Sequence, residues 1–383
     1  MRVNVASFSG THPLDLAREL DKAGLLGTYY SALPRFRIAG LPRERTVTHP
    51  SLLLPHYVLR RLGLSGLEFR ISWTTTEAFD RWLARTIGPS DVFHVLSSYG
   101  LRAMRRARSE YGALTVCDRG SSHIRFVDEL LRAEYARYGI RFVGIEPQAI
   151  VKEETEYRES DVVVVPSTFA KRSFVAAGLD PGKVVAIPYG VRLEDYFPTG
   201  KRDGVFRVLC VAVLSVRKGI GYLLEAWSGL TLPDSELVLR GAMLPESGPM
   251  LAGHEGRFRL HPSLPRKQMR DLFSQASVLV LPSLEDGFGL VITQAMACGV
   301  PVIATTNTGG PDLITDGTDG FIVPSRDADA IRDRLDYLYR HPDVRDAMGR
   351  AAIEKVRSLR GWGEYARQVA QMYQERLARR HAH

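Results

Sequence analysis

Cysteine is scarce in this sequence, and long apolar runs are absent. The three cysteines, Cys117, Cys210 and Cys298, lie far apart and without a Cys-x-x-Cys spacing. This argues against a disulfide framework and against a zinc site, so we expect three small buried residues. The longest apolar runs, such as residues 208–214, fall well short of the roughly 20 residues that a membrane-spanning helix needs.

The N-terminus also lacks the continuous apolar segment of a signal peptide. Residues 2–8 instead predict a strand that runs into a turn. We therefore expect a protein that is not exported and that resides in the cytoplasm. The composition, with 45% hydrophobic and 25% charged residues in 383, is typical of a globular chain. At roughly 150 residues per domain, two domains are the simplest expectation.

A formal charge of +8 and a pI near 9.4 favour anionic partners such as nucleotides, phospholipid surfaces or nucleic acid. Nucleic acid is disfavoured, because no zinc-finger spacing, helix-turn-helix pattern or basic aromatic strand is present. Basic and apolar residues mix over 33–66, where Arg60 and Arg61 follow an apolar helical stretch. This segment predicts either contact with an anionic membrane, at the inner face, or a solvated helix over a local core.

Short β-branched runs alternate with helical patterns along the whole chain, which predicts βαβ units and parallel sheets. A polar stretch at 191–204 that contains Pro and Gly divides the pattern into two series and is predicted to be an interdomain linker. We predict two Rossmann-like domains that face a central cleft, 1–198 for the acceptor and 199–365 for the donor. A C-terminal helix, 366–383, is expected to pack back on the first domain. Strands are predicted at 2–8, 91–97, 113–118, 161–167, 183–190, 205–215, 235–241, 258–264, 276–283, 301–306 and 320–325.

The segment 282–310 combines acids, glycines and a helix start after a predicted strand. Glycines permit close approach of a ligand to the backbone, and a helix N-terminus attracts phosphate. Acids beside a phosphate site need another partner, and sugar hydroxyls suit carboxylates. The segment therefore predicts a nucleotide-sugar site, although a capping acid with packing glycines is the structural alternative. The candidate donor-binding residues here are Glu285, Gly287, Phe288, Gly289, Leu290, Val291 and Gln294, with Asp286 as a catalytic candidate.

Cations for the phosphates are predicted at the start of the second domain. Arg217 and Lys218 follow its first strand and precede a helix. Arginine binds a diphosphate bidentately and lysine adds a mobile charge. An exposed loop pair is the alternative interpretation.

These segments resemble the retaining glycosyltransferases of family 4, also called glycosyl transferases group 1, which have the GT-B architecture. The similarity rests on "VLSVRKGIGYLLEAW", "ASVLVLPSLEDGFGLVITQAMACGVPVIATTNTGGPDLI" and "DGTDGFIVP", and on "YRESDVVVVPSTFAKRSFVAAGLDPGKVVAIPYGV" in the first half. It is strong over about 150–380 and weaker before that. The resemblance implies sugar transfer from a nucleoside-diphosphate donor with the anomeric configuration retained, and without a required metal or other cofactor.

The sequence departs from the family pattern at three positions. The family places two glutamates with seven residues between them, where this chain has Asp286 and Gln294. In the family the first acid contacts the donor sugar and the second accepts from the ribose. Either Asp286 or its neighbour Glu285 is expected to take the first role, and Gln294 is a neutral, weaker acceptor. Where the family often has an arginine, at the end of the strand before the lysine, this chain has Val213. Arg217 is then the expected substitute for that arginine.

In the first domain the resemblance is partial. The family often has a glycine pair near the donor phosphates, and here Gly10 is followed by Thr11 and His12. The segment 116–124 resembles the family's sugar-facing segment and implies that His123 contacts a sugar hydroxyl. Asp118 and Arg119 are candidate contacts to the sugar, the acceptor or the leaving phosphate. A structural role for His123 is equally consistent with the sequence.

The leading hypothesis is therefore a transferase that builds a cell-surface or secreted glycan on a glycan or lipid-linked acceptor. The resemblance implies front-face departure of the diphosphate, with catalysis by positioning and charge stabilisation. A catalytically weak or inactive sugar-nucleotide-binding protein stays open because of Asp286 and Gln294. A phosphorylase would need a much longer chain and a pyridoxal-phosphate lysine. A dehydrogenase is disfavoured because no Gly-x-Gly-x-x-Gly precedes a suitably spaced acid.

Overall fold

The computed structural model describes residues 1–10, 12–63, 65–142, 144–200, 203–244, 246–261 and 264–381. Within these residues, two parallel sheets form, each flanked by helices. The first has seven strands in the order β3-β2-β1-β4-β5-β6-β7, and the second has six in the order β10-β9-β8-β11-β12-β13. This is the predicted α/β class with two Rossmann-like sheets.

The strands of the first sheet are β1 (Val3–Ser7), β2 (Leu26–Ser31), β3 (Thr46–Thr48), β4 (Val92–Leu96), β5 (Leu114–Asp118), β6 (Val162–Val165) and β7 (Val184–Ala186). Those of the second are β8 (Phe206–Val211), β9 (Ser235–Arg240), β10 (Arg259–His261), β11 (Val278–Leu281), β12 (Val302–Thr305) and β13 (Gly320–Val323). Every named strand neighbour pairs in parallel.

The helices of the first half are α1 (His12–Lys22), α2 (Leu54–Arg61), α3 (Ser65–Thr86), α4 (Leu101–Tyr111), α5 (Ile124–Arg137), α6 (Pro147–Glu159) and α7 (Thr168–Ala176). Those of the second are α8 (Ile220–Ser228), α9 (Ser247–Leu251), α10 (Arg266–Ser274), α11 (Leu290–Ala297), α12 (Gly310–Leu313), α13 (Ala328–Arg340), α14 (Pro342–Ser358) and α15 (Gly361–His381).

Apolar β-branched runs form the central strands because helices cover both faces of each sheet. All four valines of β6 are buried, and so are all four residues of β11. A parallel strand covered on both faces needs such a continuous apolar sequence. Each predicted strand corresponds to an observed one. The cysteines Cys117, Cys210 and Cys298 are free and buried, as expected.

Two strands of the first sheet were not predicted. β2 has the mixed sequence LGTYYS, and β3 is a three-residue edge strand whose residues are only half-buried. Edge strands carry a weak apolar signal, because one side has no neighbour and the faces are less covered. The sequence pattern over 33–66 therefore indicates helix more clearly than strand. Its helical parts are three short 3-10 helices, α2 and the first residues of α3.

The chain order in each sheet changes direction once, between β1 and β4 and again between β8 and β11. Crevices for ligands form at such switch points, beyond the carboxyl ends of the strands. The predicted site segments follow β1, β8 and β11, so both switch points carry candidate residues.

Two chain segments cross between the halves side by side. A Cβ on Gly190 would lie 2.3 Å from the backbone nitrogen of Trp362, so only glycine fits there. Beyond this crossing α15 packs against α1, and the Tyr373 hydroxyl lies 2.7 Å from Nδ1 of His94. The helix over 366–381 thus contacts the first half of the chain, while Ala382 and His383 lie outside the described residues. The boundary at 198/199 stays a prediction.

None of the helices in the described part of the chain is both long enough and apolar enough to cross a membrane.

Candidate active site

The loops that follow β8 and β11 are joined to each other. The backbone N–H of Leu284 donates to the carbonyl oxygen of Arg217 at 3.0 Å. Gly219 has φ +64, and a Cβ there would lie 2.0 Å from the carbonyl oxygen of Pro282. The glycine is required both by its left-handed backbone and by this close approach. We call the segment between β11 and α11, residues 282–289 with Glu285 and Asp286, the acidic loop. These contacts fix the position of Lys218 relative to it.

Lys218 and Asp286 form an ion pair across these two loops. The Lys218 Nζ lies 2.5 Å from Oδ2 of Asp286. The other oxygen, Oδ1, accepts the N–H groups of Gly289 at 3.0 Å and Phe288 at 3.3 Å. Asp286 therefore links the lysine to the backbone that begins α11, and the catalytic roles of both residues stay predictions.

The N-terminus of α11 lies at the same point. Gly289, with φ +77, is its N-cap, and Leu290 and Val291 begin the helix. The N–H groups of a first helical turn have no partner within the helix and carry its positive dipole end. Gln294 is half-buried one turn later, and its side chain makes no hydrogen bond to any described residue. A lysine, free amides and an unpaired amide side chain are thus brought together.

Glu285 lies in a different environment from its neighbour. Its side chain is fully buried, and Oε1 accepts from Ser121 Oγ at 2.7 Å, Ser122 N–H at 2.9 Å and Ser122 Oγ at 2.8 Å. Oε2 pairs with Arg217 at 2.7 Å. Burial alone would raise the pKa of Glu285, but the Arg217 charge and the serine hydrogen bonds outweigh it and hold the pKa at about 2. The Glu285 side chain has no exposed surface, whereas the Asp286 side chain keeps 20% of its exposure, so Asp286 is the more accessible of the two acids for a sugar contact.

Arg217 contacts the same group of residues, Glu285 and Ser121. Its guanidinium pairs with Glu285 and also lies 3.3 Å from Ser121 Oγ. The side chain keeps 37% of its exposure. Lys218 therefore pairs with Asp286, beside the N-terminus of α11, whereas Arg217 pairs with Glu285. The binding of the diphosphate by Arg217 stays a prediction.

The acidic loop touches the first half of the chain through its backbone. A Cβ on Gly287 would lie 2.3 Å from the carbonyl oxygen of Gly120. The Phe288 ring is buried, with its centroid 5.1 Å from that of Tyr189. Gly287 is thus needed for contact between the halves, and Phe288 anchors the loop.

Sequence reasoning missed a buried histidine network beneath the end of β1. Oδ2 of Asp118 lies 2.8 Å from His12 Nε2 and 2.9 Å from His94 Nε2. Burial would raise the pKa of Asp118, but the charge and hydrogen bond of His12, and then those of His94, hold it well below its usual range. Oδ1 is buried without a partner. Asp118 thus orients two histidines. The feature of the sequence that could have indicated this network is the polar His12 at the predicted start of the first helix.

Gly10 lies before His12 in the loop after β1. It is exposed, and a Cβ would approach Leu33 Cδ1 to 2.9 Å. Thr11 lies outside the described residues. The donor role of Gly10 stays a prediction.

The His123 side chain has its contacts within the first half of the chain. Its ring packs against Tyr157 and Phe174, and Nδ1 accepts the Arg125 N–H at 3.3 Å as the N-cap of α5. Burial, which is 2% exposure, lowers its pKa to about 4. These contacts match the structural role, which was one of the two alternatives for His123. They give no support to a contact between His123 and a sugar.

Arg119 contacts both Glu153 and Ser122. It pairs with Glu153 at 2.7 Å, and its Nε donates to the Ser122 carbonyl oxygen at 3.2 Å. Its guanidinium therefore borders the serine pair that binds Glu285.

The comparisons with known proteins concern this same segment. Residues 191–355 match the family model described as glycosyl transferases group 1. This part of the chain is therefore similar to that family, and we call residues 191–355 the group 1 domain. It contains Lys218, Asp286, α11 and Gln294, which are the residues assembled above.

Curated relatives extend the match of the group 1 domain. The D-inositol 3-phosphate glycosyltransferase of Kribbella flavida is 28% identical over 241 residues, 56% of this chain and 57% of that protein. The protein of the same name from Frankia alni is 27% identical over 260 residues, 61% of this chain and 63% of that protein. The match thus spans less than two thirds of either relative.

Solved structures resemble the chain along almost its whole length. Sucrose-phosphate synthase from Thermosynechococcus elongatus has a TM-score of 0.72 and 20% identity, covering 99% of both chains. The Anabaena protein HepE in complex with UDP and glucose has a TM-score of 0.68 and 15% identity, covering 98% of this chain and 100% of that one. At these identities the likeness shows the fold, which is the GT-B arrangement of two Rossmann-like halves.

The group 1 domain can therefore offer a ligand three chemical features at one point. Lys218 supplies positive charge, the first amides of α11 supply hydrogen-bond donors, and Asp286 and Gln294 supply acceptors. Phosphate matches the first two and hydroxyl groups match the third.

Proposed function

We propose that this protein transfers a sugar from a nucleoside-diphosphate sugar, with retention, to a glycan or lipid-linked acceptor in cell-surface polysaccharide synthesis. The observation that carries the proposal is the 2.5 Å pair of Lys218 and Asp286 at the N-terminus of α11. A donor diphosphate would take the lysine and the helix amides, which releases Asp286 for hydroxyl groups of the sugar. The glycosyltransferase activity for which the relatives are named, and the UDP and glucose bound by HepE, support the donor class.

The positions of the acids favour front-face departure. A double displacement needs a free carboxylate about 5 Å from a second one. Glu285 is held on both oxygens by protein donors, and Asp286 is held by Lys218 and two amides. Retention without a protein nucleophile is therefore proposed, with Lys218 and the α11 amides stabilising the leaving diphosphate. Because these groups supply positive charge, we propose that no added metal is required.

The test is a screen of UDP-, GDP-, ADP- and TDP-sugars by thermal shift and by donor consumption, with Asp286→Ala alongside. One donor should stabilise the wild type and be hydrolysed or transferred, with NMR showing a product of the donor's own anomeric configuration. Activity should persist in EDTA. Stabilisation without consumption, even with membrane extract as acceptor, would instead favour the sugar-nucleotide-binding protein, which Asp286 and Gln294 keep as the second candidate.

A membrane-facing surface is part of the proposal, because α2 and the segments beside it expose apolar side chains. Leu54, Val58 and Leu62 are 59%, 53% and 64% exposed, and Phe36 is 82% exposed. The Arg37 guanidinium lies 5.8 Å from the Tyr57 ring, which places the Phe36 segment against α2. Leu64 lies outside the described residues. Apolar side chains among arginines are typical of a surface that enters an anionic lipid interface.

Sedimentation with vesicles checks this surface. The wild type should bind phosphatidylglycerol-containing vesicles at low salt better than phosphatidylcholine vesicles, and Leu54→Ser with Val58→Ser should reduce binding. Leu260→Ser is the matched control, since Leu260 is 46% exposed in the second half. Equal sedimentation of all variants would remove the membrane contact from the proposal.

A further inference from the structure

A cavity lies in the first half of the chain, and all the residues that line it fall between Ser72 and Glu153. It has a volume of about 260 Å³ and opens where β4 and β5 end, between α3 and α6. Ligand sites of parallel sheets occur at such carboxyl ends. Sites for drug-sized ligands measure about 300–1,000 Å³. This cavity is therefore suited to a single sugar ring rather than a long glycan segment.

The wall of the cavity carries unpaired hydrogen-bonding groups. Trp73 and Tyr99 are half-buried aromatic residues that line it, with Ser72 and Thr76 beside them. None of these four side chains hydrogen-bonds to any residue that the structure describes. Burial, then the nearby Glu153 and Glu156, raises the pKa of Tyr99 to about 12, so its hydroxyl keeps its proton. Aromatic surfaces with hydroxyl and indole donors suit an apolar sugar face and its hydroxyl groups.

The charged residues of the cavity are paired within the protein. Lys152 Nζ lies 2.6 Å from Glu77 Oε1 and 2.9 Å from Asp80 Oδ2. Arg119 is paired with Glu153 at 2.7 Å, and Glu146 adds a further acid to the lining. The two cations face four acids, Glu77, Asp80, Glu146 and Glu153, so the lining carries a net negative charge that repels a phosphate. At the donor site, in contrast, Lys218 and Arg217 are balanced by Asp286 and Glu285, and the first amides of α11 add hydrogen-bond donors. The electrostatics therefore favour an uncharged ligand.

The floor of the cavity is held rigidly by buried acids. Ser98 has φ +77, a conformation that non-glycine residues rarely adopt. Its N–H donates to Glu156 Oε2 at 2.6 Å, and its hydroxyl donates to Glu153. Strained residues persist where the surroundings fix them, often at ligand sites. The cavity is therefore shaped before a ligand arrives.

The cavity is also connected to the acidic loop of the second half. Arg119 lines it and donates to the Ser122 carbonyl oxygen, while the Ser122 N–H donates to Glu285. Glu285 precedes Asp286 in the chain. Hydrogen bonds thus connect the lining of the cavity to the loop that carries Asp286.

We propose that this cavity binds the terminal ring of an uncharged sugar or polyol acceptor and does not accept a phosphorylated one. The inference rests on the proposed transferase function and specifies its acceptor class. Trp73 and Tyr99 would contact the ring and its hydroxyl groups, while the paired Arg119 and Lys152 exclude a phosphate.

Binding without donor is measured first, so that the result does not depend on turnover. Saturation-transfer NMR with methyl α-glucoside, methyl α-mannoside and myo-inositol should show at least one binding, and myo-inositol 1-phosphate should bind more weakly than myo-inositol. Tyr99→Phe should weaken binding about threefold to tenfold, as expected for one lost hydrogen bond. Trp73→Ala should weaken it further. Tyr337→Phe, a 37% exposed tyrosine of the second half, should have no effect.

Tighter binding of the phosphorylated probe, no binding by any uncharged probe, or equal binding by Tyr99→Phe would overturn the proposal. Transfer assays then follow the KM for the bound acceptor, which should rise in Tyr99→Phe more than the KM for the donor. A rise confined to the donor would also count against the cavity. Probe binding without consumption of any sugar nucleotide would contradict the proposed transferase and not the ring site.

Discussion

Glu285 and Ser122 are joined across the two halves of the molecule by two hydrogen bonds to one carboxylate oxygen. The Ser122 N–H lies 2.9 Å and its hydroxyl 2.8 Å from Glu285 Oε1. Because Glu285 directly precedes Asp286, this contact connects the acidic loop to the segment that follows β5. It is one of the contacts that join the two halves, beside the approach of Gly287 to Gly120 and the packing of Phe288 on Tyr189.

Replacing Glu285 by Gln should destabilise the protein. The change removes the charge that pairs with Arg217 and a strong acceptor for the serines. Hydrogen bonds to charged groups contribute about 1.5–3 kcal/mol each, so a loss of that order is expected in urea unfolding. Glu375→Gln, at an exposed position of α15, is the control. Equal midpoints for the two variants would mean that the contact contributes nothing to stability.

Lys218→Met should lower kcat/KM for the donor by about 100- to 1,000-fold, as removal of one stabilising donor does in other enzymes. The effect should appear chiefly in kcat, because the leaving diphosphate gains charge in the transition state. Steady-state kinetics on the donor found in the screen measure it. Lys22→Met is the control, since the Lys22 side chain is 71% exposed on α1. An unchanged kcat/KM would exclude Lys218 from the reaction.

Gln294→Glu should strengthen donor binding. Gln294 is half-buried beyond the first turn of α11 and makes no hydrogen bond to a described residue. A carboxylate there would accept from a ribose hydroxyl with roughly twice the strength of a neutral amide. The dissociation constant of the nucleoside diphosphate should therefore fall, measured by calorimetry, with Gln371→Glu on α15 as control. Weaker binding would mean that Gln294 donates through its amide nitrogen.

Much of this site follows from the sequence, because its parts lie in continuous segments. The turn, glycines and helix of 282–298 carry their own local signals, and so does Lys218 after β8. The partners of Glu285 could not be predicted, because Ser121 and Ser122 lie more than 160 positions away and meet it only when the halves pack. The same holds for His12 and Asp118, which are 106 positions apart. Periodicity reports burial within one element and contains no information on such contacts.

Acid should destabilise the protein partly through His123. Burial lowers its pKa to about 4, whereas an unfolded histidine titrates near 6.5. Between these values the unfolded state binds more protons, so stability decreases as pH falls from about 6.5 to 4, by at most about 1.4 kcal/mol per pH unit. Unfolding of His123→Asn should show a shallower pH dependence in this window than His341→Asn, a change at an exposed histidine. Parallel profiles would contradict the buried, neutral state of His123.

Gly190→Ala should test whether the two crossing segments hold the halves in register. The new Cβ would lie 2.3 Å from the Trp362 nitrogen and 2.4 Å from the Gly361 carbonyl carbon, and neither backbone atom can rotate away. Overpacking of this kind typically costs about 1–3 kcal/mol. Gly204→Ala is a matched control, because a Cβ there meets no heavy atom within 4 Å. A lower thermal midpoint for Gly190→Ala alone, with the donor-induced shift also reduced, would show that the crossing stabilises the arrangement of the halves that binds the donor. Equal midpoints would mean that the two segments separate at little cost and that other contacts, such as those of Glu285 with Ser121 and Ser122, keep the halves in register.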